Sequence, residues 1–159
     1  MFVFENLNRQ HDRDNFDCGE EALNNYLKHQ ASQDIRRRLS VCVVLKQEES
    51  NTICGFYTLS AESAKPDPDV DLKAVSAYGN IPVAVLGRLA VDLRFQKQGL
   101  SQDLIAHAIT VAENSIIPTV ALVVDPLKPE LAPFYEKLGF IPFTKEPLRL
   151  MLPFPKGRF

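Results

Sequence analysis

The segment 81–92, IPVAVLGRLAVD, constrains the fold more than any other part of the chain. It is apolar except for Gly87, Arg88 and the closing Asp92, so it reads as a strand covered on both faces. Glycine inside a central strand marks a bulge or a close approach of another backbone. A polar loop, RFQKQGLSQD (94–103), follows, and then LSQDLIAHAITVAEN (100–114). In that segment Leu104, Ile105, Ala108 and Ala112 share one helical face. A buried strand, a tight loop and an amphipathic helix require a layered α/β architecture.

The remaining segments fit around this unit. FVFENL (2–7) reads as a first strand. In FDCGEEALNNYLKHQASQDIRR (16–37), Asp17 and Glu20 have capping-box spacing, and Ala22, Leu23, Tyr26 and Leu27 make an apolar helical face. LSVCVVLKQ (39–47) and TICGFYTLSA (52–61) form a hairpin about the turn EESN. Residues 61–80, with Pro66, Pro68 and several acids, read as a long surface loop. TVALVVD (119–125) is a buried strand, and ELAPFYEKLGF (130–140) is a short helix ended by Gly139. Pro133 is tolerated there only in a first turn. A strand precedes RLMLPF (149–154), which is the last. The expected fold is an α/β sandwich about one mixed sheet, with a bulged strand at 83–91 and helices on both faces. With 159 residues, a single domain over 1–159 is expected.

Composition narrows the function. Net charge is −2, whereas a dedicated nucleic-acid binder is usually basic. The one cationic cluster is Arg36, Arg37 and Arg38, with Lys145, Arg149, Lys156 and Arg158 as scattered additions. His11, His29 and His107 have no ligand spacing, so no metal site is expected. Cys18, Cys42 and Cys54 form no CxxC pair and read as small core residues. The start is apolar for only four residues before Glu5, too short for a leader or a membrane span. A cytoplasmic location is the expectation.

The chemistry centres on the loop after the main strand. The free N–H groups of a helix's first turn and the positive end of its dipole form an anion site. Gly99 permits close approach of a phosphate, Ser101 adds a hydroxyl donor, and Lys97 adds a positive charge. An ordinary polar helix start is the competing reading, since no Walker motif and no GxGxxG is present.

Two motifs taken together resolve this. Gln96-Lys97-Gln98-Gly99-Leu100-Ser101 is similar to the Q/R-x-x-G-x-G/A pyrophosphate loop of the GNAT superfamily of acetyl-CoA-dependent N-acetyltransferases. FYEKLGF (134–140) resembles that family's second signature. FDCGEEALNNYL, GFYTLSA and LGRLAVD extend the resemblance over nearly the whole chain, to the GNAT toxins of bacterial toxin–antitoxin modules. The loop of that branch usually reads QGQGLG, so Lys97 and Ser101 replace two of its glycines.

The resemblance implies the GNAT fold, acetyl-CoA as co-substrate, and the α-amino group of aminoacyl-tRNA as acceptor. It also implies a ribbon-helix-helix antitoxin and a homodimer. Cofactor contacts fall on Gln96, Lys97, Gln98, Gly99, Leu100, Ser101 and Gln102. The thioester oxygen falls to the N–H groups of Leu89, Ala90 and Val91. Tyr135 corresponds to the general acid. Arg36, Arg37 and Arg38 are the candidate RNA contacts. Glu62, with Ser63, and Asp125 are the candidate bases, although an α-amine of pKa roughly 8 needs little help. Two other functions fit the same residues: acetylation of a protein N-terminus or small amine, and a non-catalytic CoA- or antitoxin-binding module.

Overall fold

The computed structural model describes residues 1–70 and 79–157. Seven strands form one mixed sheet in the order β1-β2-β3-β4-β5-β7-β6. The strands are β1 (Phe2–Asn6), β2 (Val41–Gln47), β3 (Ile53–Ala64), β4 (Ile81–Val91), β5 (Ala121–Val124), β6 (Ile141–Lys145) and β7 (Leu148–Pro153). The α-helices are α1 (Glu21–Asn25), α2 (Ala31–Arg36), α3 (Leu100–Glu113) and α4 (Ala132–Lys137). A π-helical turn, Tyr26–Gln30, joins α1 to α2. The chain resolves into two compact units, Met1–Ser60 with Gly87–Ala108, and Ala61–Leu86 with Ile109–Phe159.

In the first unit β1, β2 and β3 run antiparallel. Strand alternation sends neighbouring β3 side chains to opposite faces. Phe56 meets Phe16 and Tyr26 on the α1 side. Tyr57, the next residue, reaches His107 of α3, with 2.7 Å between its hydroxyl and Nδ1. The His107 ring also stacks on Phe4 at 3.9 Å. Helix α3 buries Leu104, Ile105, Ala108 and Ala112, the face its periodicity predicts. Full burial of a leucine or isoleucine contributes about 1.5–3 kcal/mol.

In the second unit β4 pairs in parallel with β5, Ala84 to Leu86 against Leu122 to Val124. β7 lies antiparallel to β5, and β6 antiparallel to β7. Ala64, Ile81, Val83, Ala121, Val123, Phe143 and Met151 form the buried cluster. Gly139, at φ 104, ends the turn after α4, as the sequence predicts. Pro133 stands in the first turn of α4, where its missing N–H costs nothing.

Three expectations change. Asp17 and Glu20 form no capping box: Glu20 caps α1 without a side-chain bond. Asp17 Oδ1 instead accepts from the Gly19 N–H and the Asn24 side chain. Asn24 is buried in place of Ala22, because its Oδ1 also accepts the Cys18 N–H at 2.9 Å. Third, the loop expected over 61–80 begins later, since β3 continues to Ala64. Residues 71–78 of that expected loop lie outside the described residues.

Candidate functional site

β4 is strand-like throughout, but its regular pairing with β5 stops at Leu86. The N–H of Arg88 donates to the Thr58 hydroxyl at 3.0 Å. A Cβ on Gly87 would stand 3.1 Å from that hydroxyl, so glycine gives the side chain its access. Ala90 and Val91, two of the three residues expected to face a thioester oxygen, are buried, and Leu89 is half-buried.

Past Val91 the chain is tied down by Asp92, a residue the sequence reading did not single out. Its carboxylate accepts from the Arg94 N–H at 2.9 Å, from the Arg94 guanidinium at 2.9 and 3.1 Å, and from the Asp17 N–H at 3.1 Å. Burial pushes its carboxyl up, but Arg94 and the two N–H donors outweigh burial and hold it below the ordinary carboxylate value. Gln96 closes the same knot. Its side-chain amide donates to Val91 O at 2.9 Å and to Cys18 O at 3.3 Å. Expected as a phosphate contact, Gln96 braces the loop through that amide.

The loop then turns into α3 through two left-handed residues, Lys97 at φ 66 and Gly99 at φ 79. Nothing lies within 4 Å of a Cβ on Gly99, so glycine is required there for backbone conformation and leaves open space above the loop. Lys97 is exposed and holds a conformation that favours glycine. The α3 ladder begins with the Asp103 N–H on Gly99 O at 3.2 Å. Earlier N–H groups of the turn have no partner within the helix. Leu100 is buried, Ser101 half-buried, and Gln98 and Gln102 exposed. The donor set fits a pyrophosphate: consecutive N–H groups at a helix N-terminus, an open approach over glycine, and one ammonium.

In the second unit Tyr135 is half-buried on α4, its ring edge-on to Phe134 and Phe140. Among the described residues its hydroxyl has no hydrogen-bond partner, unlike a tyrosine kept only for packing. Burial pushes its pKa above the ordinary phenol value. The two base candidates of the sequence reading meet in this unit on one guanidinium. Arg149 lies 2.6 Å from Glu62 and 2.7 Å from Asp125, and the three line a cavity of about 700 Å³. Both carboxylates are thus engaged as ion-pair partners.

The cationic candidates divide. Arg36, Arg37 and Arg38 are exposed, and among the described residues no carboxylate pairs with them. They close α2 in a Schellman arrangement, with the Leu39 N–H on Asp34 O and the Arg38 N–H on Ile35 O. Arg38, at φ 61, occupies the left-handed position usually held by glycine. Near the C-terminus Lys145 is neutralised by Asp69 at 3.0 Å, and Arg149 by Glu62 and Asp125. Arg158 lies outside the described residues. All three cysteines are free and buried, and burial pushes the Cys42 thiol up to about 12, which removes thiolate chemistry at neutral pH.

Comparison with known proteins gives concordant matches. The profile of the acetyltransferase (GNAT) domain matches residues 15–151. A tRNA-acetylating toxin of Mycobacterium tuberculosis is 31% identical over 86% of this chain and 82% of its own. The toxin AtaT, solved in complex with acetyl-methionyl-tRNAfMet, superposes with a TM-score of 0.85 at 32% identity, over 96% of this chain and 95% of that one. A mutant of AtaT bound to the C-terminus of the antitoxin AtaR and acetyl-CoA gives a TM-score of 0.77 at 30% identity, over 96% and 93%.

Proposed function

The chain belongs to the GNAT acetyltransferase family, and on that premise we propose that it moves acetyl from acetyl-CoA to the α-amino group of an aminoacyl-tRNA. It would thereby block translation as the toxin of a toxin–antitoxin module. The observation that carries the catalytic part is the loop between β4 and α3. Its two left-handed residues and the open space over Gly99 build an anion cradle at the helix N-terminus. The acceptor part rests on similarity to toxins described as tRNA-acetylating or solved with acetylated tRNA.

Acetyl-CoA supplies an acetyl thioester, and the residues divide the work on it. The N–H groups from Gln98 through Gln102 hold the pyrophosphate, with the Lys97 ammonium adding charge and Gln96 fixing the loop. N–H groups of Leu89, Ala90 and Val91 donate to the thioester oxygen as it gains charge. The attacking α-amine, of pKa roughly 8, is already neutral in appreciable fraction at pH 7, so no dedicated base is assigned. Tyr135 donates its hydroxyl proton to the departing thiolate, a role suited to a phenol that burial keeps protonated at neutral pH. Arg36, Arg37 and Arg38 take phosphates of the tRNA.

By likeness to the AtaT–AtaR complex, the partner is an antitoxin that binds through a C-terminal segment. We assign it to the ribbon-helix-helix class. We further propose a single catalytic domain that works as a homodimer in the cytoplasm. No helix among the described residues is long and apolar enough to cross a membrane.

The test incubates the protein and labelled acetyl-CoA with charged tRNA, uncharged tRNA and a peptide panel. Label on charged tRNA alone is the expected result. Label only on peptides or small amines would replace the acceptor, and acetyl-CoA binding with no transfer to any acceptor would make the chain a non-catalytic module.

A further inference from the structure

Arg88 stands beside Gly87 in β4 and is half-buried. Its guanidinium lies over the ring of Tyr26, 3.6 Å from the centroid. That ring is fixed: it is buried, stacks on Phe56 at 6.5 Å, and its hydroxyl donates to Asp34 Oδ2 at 2.8 Å. The Asp34 carboxylate is therefore engaged with Tyr26. Among the described residues the Arg88 guanidinium has no hydrogen-bond acceptor and no ion-pair partner. Five N–H donors in a rigid plane are held against an aromatic face with no acceptor among the described residues. Such a fork matches a phosphate or a carboxylate.

The position of Arg88 decides which anion. In the first unit Tyr26 and Phe56 lie on the α1–α2 face of the sheet, while Tyr57 meets His107 of α3 on the other. Arg88, stacked on Tyr26, therefore belongs to the face opposite the helix whose N-terminus holds the cofactor phosphates. It sits one residue before Leu89, the first of the N–H groups assigned to the thioester oxygen. On its own face, α2 ends in three exposed arginines that have no ion-pair partner among the described residues. An anion that reaches both Arg88 and that cluster is a polyanion. The π-helical turn that carries Tyr26 is a feature often found at functional sites.

We propose that Arg88, presented flat by Tyr26, binds a phosphodiester near the 3′ end of the acceptor RNA and so positions the aminoacyl ester for transfer. This rests on the aminoacyl-tRNA reading above. Arg88 is a substrate-positioning residue: it acts on the acceptor and takes no part in holding acetyl-CoA.

The test compares the parent with Arg88→Gln and Arg88→Lys, using bulk aminoacyl-tRNA as acceptor across a range of salt. Arg88→Gln is expected to raise the KM for aminoacyl-tRNA on the order of tenfold or more. It should also reduce the slope of log affinity against log salt by about one phosphate contact, roughly 0.7–0.9. Its acetyl-CoA Kd and melting temperature should stay close to the parent's. Arg88→Lys keeps the charge and should keep the salt slope while losing part of the affinity. An unchanged KM and slope in Arg88→Gln, with the parent active on charged tRNA, overturns this inference alone. So does a joint loss of acetyl-CoA binding and thermal stability, which would make Arg88 a structural staple. A parent that labels only peptides overturns the acceptor reading itself, and the phosphodiester with it.

Discussion

A lysine in the left-handed region costs about 1 kcal/mol relative to glycine, yet Lys97 stands there at φ 66. The resemblance flagged Lys97 as a departure from the family loop, and the backbone explains why glycine is usual at that position. A side chain kept at a strained position invites a use, and an ammonium beside a phosphate cradle has an evident one. Lys97→Gly should therefore raise stability by about 1 kcal/mol while weakening acetyl-CoA several-fold and lessening the salt dependence of that binding. Denaturant midpoints and calorimetric titration at two salt concentrations measure both effects. Tighter acetyl-CoA in Lys97→Gly would make the lysine a mere compromise. Arg88 could not be read in the same way. Its meaning lies in a contact with Tyr26, 62 positions away, and in the lack of an acceptor among the described residues, neither of which a sequence displays.

The elements were legible where periodicity was strong, as in β4, β5 and α3. Their joints were less so. The capping box predicted at Asp17 failed because Asp17 and Asn24 form a local network tied to Asp92, 75 residues further on. That knot joins the end of β4 to the segment before α1. It accounts for the placement of the loop, since Asp92 and Gln96 clamp it from both sides. Asp92→Asn should cost about 2 kcal/mol at pH 7, the scale of charge-assisted hydrogen bonds lost from a buried carboxylate. The sign with pH follows from the depressed pKa of Asp92. Its contribution is full above the unfolded value of about 3.9 and disappears as pH falls through the lower folded value. Urea unfolding of parent and variant should differ at pH 7, and the difference should close as pH falls through the lowered folded value of Asp92. A gap that persists in acid would mean that the asparagine disturbs packing instead.

For the whole molecule, the order of strands and helices and the family were readable because the two signature motifs stand in sequence on recognisable elements. The acceptor was readable only through the resemblance, because a net charge of −2 does not point to an RNA partner. If Arg36 and Arg37 take tRNA phosphates, the double variant Arg36→Ala, Arg37→Ala should bind aminoacyl-tRNA more weakly, most of all at low salt. Its salt slope should be shallower by about 1.5. Filter binding over a salt series measures this, and parallel lines for parent and variant would place the RNA elsewhere.

The central claim is that the cradle after β4 holds acetyl-CoA while Tyr135 acts as the acid. Single-turnover transfer from labelled acetyl-CoA to charged tRNA, measured beside acetyl-CoA affinity in Tyr135→Phe, tests it most directly. The account predicts an acetyl-CoA Kd within about twofold of the parent, with transfer reduced roughly 10²- to 10⁴-fold, the usual contribution of a general acid. Transfer at the parent rate with the phenol removed would contradict it.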